Sequence, residues 1–353
     1  MPDEGPASLP AFRGALKSRV LPYDTLIERL AFGSCFKTQR NDDRALTALV
    51  AWQPQVFVFA GDTLYPDSDD TEALLPRLRQ AYSALASNAP FTKLRRSVEV
   101  LPVWDDHDYG RNDGGADFPF RSASERLFLD YWGIAEPDPR ARRPGIYFSR
   151  TVGPPRARLQ LIVLDTRYFR SPLRRTDKRG APGRERYVPD ADPGKTMLGD
   201  AQWSWLEKQL QQEADLRLIV SSIQVLADGH GWEGWRQLPL ERERLFQALR
   251  RADSTPLLLL SGDRHVAGFY QLDIGRDRPL LEFTSSALNN PIMMPHRDNT
   301  LAEAGPNRLG ELYGESNFGG LLIDWENGTV NLELLSADGG LVRREAFVFR
   351  DRG

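Results

Sequence analysis

The chain has little of what disulfide-rich, membrane-spanning or nucleic-acid-binding proteins need. Its 353 residues include one cysteine, which excludes a disulfide bond within the chain, and four histidines. No apolar run approaches the roughly 20 residues that cross a bilayer. The net charge is −3, whereas a general nucleic-acid-binding protein has a basic excess, so we expect no stable complex with nucleic acid. Hydrophobic residues make up 41% of the chain, which is ample for the core of a globular protein.

The N-terminal sequence MPDEGPASLPAF is polar and contains prolines, which is not typical of a signal peptide. We therefore expect a cytoplasmic protein, or a periplasmic or extracellular one from which an export signal has been removed. We predict that residues 1–27 form an N-terminal extension and that residues 28–353 form a single catalytic domain. The oligomeric state is left open.

Helical and strand patterns alternate through most of the chain, which favours a sheet sandwiched by helices. After His265 the pattern changes to consecutive strands, and Asn327-Gly328 is typical of a hairpin turn between two of them. We expect these later strands to complete a second sheet. The predicted helices are 41–52, 71–86, 122–132, 201–213 and 240–251, and the later strands are 268–274, 280–284, 319–325, 330–335 and 341–349.

Four acidic or imidazole side chains crowd the turn after one predicted strand. An apolar run, 98–103, leads into Trp104-Asp105-Asp106-His107-Asp108. Three carboxylates this close repel one another, and burying them unpaired costs several kcal/mol. A multivalent cation supplies the missing positive charge. Taken alone, the run is equally consistent with a solvated acidic turn.

Two further strand ends favour the metal hypothesis. Gly61-Asp62 follows the apolar run 56–60, and Gly262-Asp263-Arg264-His265 follows the run 257–260. Continuous apolar runs are typical of strands buried on both faces of a sheet. Ligands of open α/β sheets gather at the carboxyl ends of the strands, so we expect all three clusters to converge at one edge.

A fourth strand end carries the lone cysteine. Gly33-Ser34-Cys35 follows the predicted strand 29–32, and Tyr65 lies three residues after Asp62. Cys35 is either a small buried hydrophobic side chain or a thiolate ligand, because coordination removes the thiol proton. Tyr65 likewise either packs and hydrogen-bonds or serves as a phenolate ligand. Both alternatives remain open from the residues alone.

The ordered set SCF, GDTLY, WDDHDYGRND, LDTR and SGDRH resembles the PhoD-like alkaline phosphatases, a branch of the calcineurin-like metallophosphoesterases. The likeness runs from about Leu30 to about Asn289. It implies an α/β fold, a four-layer α/β/β/α sandwich with two mixed sheets. It also implies hydrolysis of phosphate esters at a polynuclear centre of Fe³⁺ and Ca²⁺, with Mn²⁺, Mg²⁺, Co²⁺ or Zn²⁺ as substitutes.

The resemblance also implies roles for individual residues. Cys35 and Tyr65 match the ferric ligands, and Asp62 matches the carboxylate shared between metals. His107 matches the catalytic histidine, and Asp108 the acid that supports it. The remaining implied metal ligands are Asp106, Asn112, Asp263 and His265, of which Asp106 and Asp263 stand where the wider superfamily has Asn and His. With fewer imidazoles than that superfamily, the site shifts toward oxygen ligands, which favours calcium, magnesium or manganese over zinc.

Three other positions are candidates for substrate contacts. Arg167, in LDTR directly after a strand, is predicted to bind the phosphoryl group and take part in catalysis, with Asp165 pairing with it. His230 either lines the pocket and binds substrate or lies in a surface turn. The chain also has two long connections, 168–198 and 290–318. The first is basic, and the second is a candidate lid.

The predicted function is metal-dependent hydrolysis of a small phosphate ester by a metal-activated water, in which His107 protonates the leaving alkoxide or binds a phosphoryl oxygen. The residues do not distinguish a monoesterase from a diesterase, because both need the same metals. The alternatives are a phosphodiesterase specialised for phospholipid or nucleic-acid backbone esters, and a catalytically inactive relative that binds phosphorylated ligands.

Overall fold

A computed structural model describes residues 18–66, 71–252 and 254–350. The described residues form thirteen strands in two mixed sheets, with helices on the outer faces. The strands are β1 Arg29–Gly33, β2 Val56–Ala60, β3 Glu99–Val103, β4 Phe148–Val152, β5 Leu159–Val163, β6 Leu216–Ser221, β7 Leu257–Ser261, β8 Ala267–Leu272, β9 Leu280–Ser285, β10 Arg308–Tyr313, β11 Asn317–Asp324, β12 Thr329–Ser336 and β13 Leu341–Val348. The helices are α1 Arg44–Trp52, α2 Thr71–Ser87, α3 Ala89–Ser97, α4 Asp106–Tyr109, α5 Arg121–Trp132, α6 Gly199–Gln209, α7 Pro239–Arg251 and α8 Arg297–Leu301.

The first sheet has the order β13-β12-β11-β1-β2-β3, and the second has the order β10-β8-β9-β7-β6-β5-β4. Strands β1 to β3 are parallel to one another, as are β5, β6, β7 and β9. The central strands β2, β5 and β7 are buried along their whole length, as their continuous apolar sequences predict.

The two sheets pack face to face, and each is covered by helices on its other side. Between the sheets, the ring centroids of Phe32 and Phe283 lie 4.9 Å apart at an interplanar angle of 85°. This core continues to the helices on the first sheet, while Trp203 of α6 and Leu249 of α7 pack with Leu259 in a second cluster. The expected four-layer sandwich is confirmed. It brings the carboxyl ends of the parallel strands of both sheets to one edge.

The expectation that all late strands complete the second sheet is wrong for β11 to β13, which extend the first sheet beyond β1. Phe32 pairs with Gly319 across the antiparallel β1–β11 ladder. A Cβ at Gly319 would lie 2.1 Å from the Phe32 ring, and one at Gly320 would lie 2.8 Å from the Trp52 ring. Two glycines on β11 therefore make room for large rings of the first sheet and α1. The turn at Asn327-Gly328 between β11 and β12 is as predicted.

Four elements were not anticipated: α3, α4, α8 and β10. Helix α3 begins at a local signal, since the Asn88 side chain accepts a hydrogen bond from Phe91 N at 2.9 Å and Pro90 occupies the first turn. Other boundaries shift by a few residues, as for α6, predicted over 201–213 and observed over Gly199–Gln209.

The described part of the predicted N-terminal extension packs against the first sheet. Leu21 and Ile27 are buried, and Leu21 N donates to Glu99 Oε2 at 3.0 Å. Residues 1–17 lie outside the described residues, and the division into an extension and one domain stays a prediction. In the described ranges, no helix has both the length and the apolar character required to cross a membrane.

Candidate metal centre and active site

The carboxyl ends of strands from both sheets meet at one place, and two glycines allow the contact. A Cβ at Gly61 would lie 2.5 Å from Asp105 Cβ, so the turns after β2 and β3 touch. A Cβ at Gly262 would lie 2.5 Å from Ser34 Oγ, so the turns after β7 and β1 touch. Gly262 is thus needed for this close approach.

Four candidate ligands have a left-handed backbone conformation that residues other than glycine rarely adopt. The φ angles are 58° at Cys35, 51° at Asp62, 68° at Asp263 and 57° at His265. Each such residue costs on the order of 1–3 kcal/mol and persists where the surrounding structure holds it. The strain is concentrated at the ends of β1, β2 and β7, where it aims these side chains at a common point.

The ligand atoms fall into overlapping groups, each with its atoms within 4.8 Å of one another. One group is Cys35, Asp62 and His265; a second is Asp62, Asp106 and His107; a third is Asp105, Asp106 and Asp263. Asp62 belongs to the first two groups, and Asp106 to the second and third. The arrangement therefore has the form of adjacent cation positions joined by shared carboxylates.

The first group has the softest donors. The Cys35 thiol donates to Asp62 Oδ2 at 3.4 Å, and the Tyr65 hydroxyl donates to the same oxygen at 2.8 Å. Burial raises the pKa of the Cys35 thiol to about 12 and raises the pKa of Tyr65 well above its usual value, with the Asp62 charge adding to the shift of Tyr65. Both groups stay protonated unless a cation supplies positive charge. Thiolate, phenolate, carboxylate and imidazole together fit a ferric ion.

The third group is an excess of buried negative charge. Asp105 Oδ2 and Asp106 Oδ1 are buried and accept no hydrogen bond from any described residue. Burial, with repulsion from neighbouring carboxylates, raises the pKa of Asp62 and of Asp263 well above the usual range. Burial also raises the pKa of Asp105 to about 7, against the opposing charge of Arg167. Carboxylate oxygens without hydrogen-bond donors, in a cluster that is costly to ionise in full, fit a hard divalent cation.

Asp106 shifts in the other direction. Its burial acts to raise the pKa, but the charges of His107 and Arg167 and the backbone N–H of Asp113, 2.7 Å from Asp106 Oδ2, outweigh it and hold the pKa below the usual range. Asp106 is therefore the carboxylate of this cluster that ionises most readily.

A fourth group, Asp106, Asp113 and Glu233, already has its counter-charges. Asp113 Oδ2 accepts from Arg186 Nη1 at 2.6 Å and from Tyr187 Oη at 2.8 Å. Glu233 is ion-paired with two arginines (see below). Because these carboxylates are neutralised by protein cations, this group does not call for a metal ion.

A cavity of about 220 Å³ opens onto these ligands. The described residues that line it include the predicted ligands Asp62, Asp106, Asn112, Asp263 and His265, together with His107. The rest of the wall consists of Asp113, Arg186, Trp232, Glu233, Arg264, Ile292, His296 and Thr300. Arg186 comes from the basic loop 168–198, and Ile292, His296 and Thr300 come from the candidate lid 290–318.

A model of the PhoD-like phosphatase family matches residues 30–334. The chain belongs to the PhoD-like phosphatase family. As a member, it is a hydrolase that acts on phosphoric ester bonds. A solved structure described as "Structure of PhoD" superposes with a TM-score of 0.72 at 16% sequence identity, covering 92% of this chain and 70% of that one. This likeness shows the fold.

A second solved structure, of a conserved uncharacterized protein (predicted phosphoesterase) from Streptococcus pneumoniae, is 8% identical and covers 91% of this chain and 97% of that one. Its TM-score of 0.31 is too low to carry any argument. No match to a curated protein sequence was found.

In this PhoD-like phosphatase, His107 lies at the cavity and Asp108 lies beneath it. The His107 side chain is 26% exposed, and its ring centroid lies 4.1 Å from that of Tyr65. Asp108 is buried and accepts hydrogen bonds from Thr63 N at 2.8 Å, from Asp105 N at 2.9 Å and from the Thr63 hydroxyl. Asp108 thus ties the turn after β2 to the turn after β3, and it fixes the short helix on which His107 lies.

Arg167 does not pair with Asp165 through its side chain, so that prediction is wrong. The Asp165 carboxylate accepts from the indole of Trp104 at 2.9 Å and from the backbone N–H groups of Ile146, Arg167 and Tyr168. The Arg167 guanidinium instead bonds Asp105 Oδ1 through Nε at 2.6 Å. Its Nη1 lies 2.6 Å from Glu233 Oε2.

The Arg167 side chain is 0% exposed and contacts Asp105 and Glu233, and it is not among the described residues that line the cavity. Glu233 is shared with a second buried arginine, since Arg170 Nη2 lies 2.8 Å from Glu233 Oε1. The geometry therefore favours a role for Arg167 in holding Asp105 over the predicted contact with substrate.

His230 is buried at 1% exposure, so the surface-turn alternative is wrong. Its Nε2 lies 3.2 Å from Gln224 Oε1, and burial holds its pKa well below the usual value. The described residues that line the cavity include its neighbours Trp232 and Glu233 but not His230. We interpret it as a neutral histidine behind the cavity wall, and its predicted contact with substrate gains no support from this position.

Proposed function

We propose that the chain hydrolyses phosphate esters at a polynuclear metal centre that joins the two sheets. The observation that carries the proposal is the overlap of the ligand groups, in which Asp62 and Asp106 are each shared by neighbouring groups. The buried oxygens of Asp105 and Asp106 that lack hydrogen-bond donors support it. A carboxylate that belongs to two neighbouring ligand groups can bind two cations, as a polynuclear centre requires.

We assign Fe³⁺ to Cys35, Asp62, Tyr65 and His265, because thiolate and phenolate donors suit a ferric ion. We assign Ca²⁺ to the oxygen-rich part of the centre, namely Asp62, Asp105, Asp106, Asn112 and Asp263. Mn²⁺ or Mg²⁺ fits the same oxygens, and Co²⁺ or Zn²⁺ fits the mixed donors less well. Asp105 is an addition to the ligands inferred from the sequence.

Metal ions in such a centre supply positive charge that polarises the phosphoryl group and lowers the pKa of water. His107 lies at the cavity wall, where it can donate a proton to the leaving alkoxide or a hydrogen bond to a phosphoryl oxygen. Asp108 keeps His107 in place through the turn that it ties together. The ion pair with Arg167 fixes the position of the Asp105 carboxylate.

The test is metal analysis of the purified protein followed by paired assays of p-nitrophenyl phosphate and bis-p-nitrophenyl phosphate. A strong chelator should abolish turnover, and added iron with calcium or manganese should restore it. Asp62→Asn should lower metal content and turnover together. Asp338→Asn is the matched control, because that aspartate is 67% exposed and pairs with Arg44 on the surface.

Turnover that survives verified removal of all metal would contradict the proposal. The ratio of the two rates then separates monoesterase from diesterase activity, since the two activities share the metals and differ in pocket shape. A small phosphate ester is the substrate class we propose in either case.

A further inference from the structure

Most cations of the basic loop, residues 168–198, are not among the described residues that line the cavity. Five of its basic side chains are exposed, while Arg170 is buried on Glu233 and Arg186 lies at the cavity. The exposed ones are Arg174, Arg175, Lys178, Arg179 and Arg184. Position in the loop therefore distinguishes Arg186 from the cations around it.

Arg186 is held in place from three sides. Its Nη1 lies 2.6 Å from Asp113 Oδ2, and its guanidinium carbon lies 5.1 Å from the ring centroid of Trp232. Its backbone N–H donates to Gly231 O at 3.0 Å, and Tyr187 N donates to the same oxygen at 2.7 Å. A Cβ at Gly231 would lie 2.6 Å from Glu185 N, so glycine is required for this approach. The cation is fixed before any substrate arrives.

Other arginines near the site are buried and form ion pairs with protein carboxylates. Arg167 and Arg170 are fully buried on Glu233 and Asp105, and Arg264, 4% exposed, pairs with Glu303 at 2.9 Å. The Arg186 side chain is 34% exposed, and among the described residues Asp113 is the single side chain that accepts from its guanidinium. The guanidinium therefore keeps N–H donors that no described side chain accepts, at the wall of the cavity.

The same cavity has an aromatic and apolar wall. Trp232 lies with its ring centroid 5.8 Å from that of His296 at 83°, and Ile292 lines the cavity beside them. Ile292 N donates to His265 O at 2.8 Å, and His265 Nδ1 lies 2.5 Å from Asn290 O. The loop that carries Ile292 and His296 is therefore fixed directly to a candidate metal ligand.

We propose that Arg186 and Trp232 form a substrate subsite, in which Arg186 binds a non-bridging phosphoryl oxygen and the wall of Trp232, Ile292 and His296 takes a flat ring of the esterified alcohol. The substrate class is a phosphate ester of a ring-bearing alcohol, aryl or nucleoside. This rests on the proposed function, because the phosphoryl group must lie at Asp62, Asp106 and Asp263 for its oxygen to face Arg186. A charged hydrogen bond to phosphate and a ring contact are the interactions that these side chains offer.

The first experiment compares Arg186→Gln with Arg184→Gln, a matched control two residues away that is exposed and pairs with Asp177. With phenyl phosphate, Arg186→Gln should raise KM and the inhibition constant of inorganic phosphate by at least about tenfold. Metal content should stay at the wild-type value, and Arg186→Lys should recover part of the loss. Equal kinetic constants in Arg186→Gln and Arg184→Gln would overturn the role of Arg186.

The second experiment replaces Trp232 with leucine and compares phenyl phosphate, adenosine 5′-monophosphate and glycerol phosphate. KM should rise about three- to tenfold for a ring-bearing ester and stay unchanged for glycerol phosphate, because only the ring contacts the wall. Of phenyl phosphate and adenosine 5′-monophosphate, the ester whose KM rises more shows whether the wall binds an aryl or a nucleoside ring. An equal change for all three esters, or none, would overturn the ring subsite.

Calorimetric binding of phenylphosphonate to the metal-loaded protein gives a readout that does not depend on turnover. Wild-type protein that fails to hydrolyse any ester yet binds phenylphosphonate, with loss of binding in Arg186→Gln, would refute the proposed function and support the subsite. Wild-type turnover, together with unchanged phenylphosphonate binding in Arg186→Gln and Trp232→Leu, would support the proposed function and refute the subsite.

Discussion

Replacing Arg167 with methionine removes the cation that neutralises Asp105 in the interior. Arginine and aspartate are both 0% exposed, and the two side chains meet through Nε at 2.6 Å and Nη2 at 2.5 Å. Glu233 keeps its second partner, Arg170, at 2.8 Å, so the main loss falls on Asp105. Breaking one buried pair in this way costs about 3–5 kcal/mol, because an uncompensated charge is left behind.

The measurement is urea unfolding of the metal-free protein, followed by tryptophan fluorescence. Arg167→Met should lower the free energy of unfolding by that amount, while Arg175→Met, an exposed arginine of the basic loop, should change it by less than about 0.5 kcal/mol. The double variant with Asp105→Asn removes both charges and should recover about 1–3 kcal/mol of the loss.

The reasoning would be refuted by an Arg167→Met protein as stable as Arg175→Met whose KM for a phosphate ester is raised. That result would place the guanidinium of Arg167 against substrate, as the sequence suggested, and not against Asp105.

Three other predictions follow from the structure. If Cys35 and Tyr65 bind one ferric ion, the concentrated protein should absorb visible light. Tyr65→Phe should remove most of that absorption, and Cys35→Ser should lower iron content and turnover together. A colourless, iron-free protein with full activity would contradict the assignment of iron to this site. In the metal-free protein, burial raises the pKa of Asp105 and of Asp108 from 3.8 to about 7, so their protonated forms stabilise the fold. That contribution to stability is complete below about pH 4 and is lost as pH rises through 7. The urea midpoint should therefore decrease as pH is raised from 5 to 8, and added calcium and iron should reverse the decrease. A midpoint that increases over this range without metal would contradict the prediction. Gly328→Ala should cost about 1–2 kcal/mol in urea unfolding with turnover unchanged, because φ is +65° there and the new Cβ would lie 2.4 Å from the Arg350 side chain; unchanged stability would mean that the turn relaxes.

The convergence of Cys35, Asp62 and Asp106, which follow β1, β2 and β3 of one sheet, was predictable because it rests on local rules. A buried strand shows in its apolar run, and parallel strands of one sheet end at one edge. No distant contact has to be known for those two statements. Asp263 and His265 follow β7 of the other sheet, and the packing of the two sheets brings them to the same place. The left-handed backbone at Cys35, Asp62, Asp263 and His265 was not predictable, since residues other than glycine rarely adopt it.

The partners of Arg167 show where sequence reasoning ends. Asp165 is two residues away and was the natural candidate, but four N–H donors occupy its carboxylate. The real partners, Asp105 and Glu233, lie 62 and 66 positions away in the sequence and meet Arg167 only when three loops assemble. Arg186 is one of several similar arginines in its loop, and only Asp113 and Trp232 distinguish it.

The assignment of β11 to β13 failed for a related reason. An alternating strand pattern is the same for either sheet, and the choice was made by the fit of Gly319 against Phe32. Shape complementarity between distant residues carries no periodic signal in the sequence.

The proposed ligands come from both layers of strands, Cys35, Asp62 and Asp106 from one and Asp263 and His265 from the other. An ion bound among them therefore acts as a crosslink between the two sheets, and its binding energy opposes their separation. A ligand at one hundred times its dissociation constant adds about 2.7 kcal/mol to the stability of the form that binds it. Metal supply would then set the lifetime of the folded enzyme as well as its activity, and chelation would expose the apolar faces now packed between the sheets.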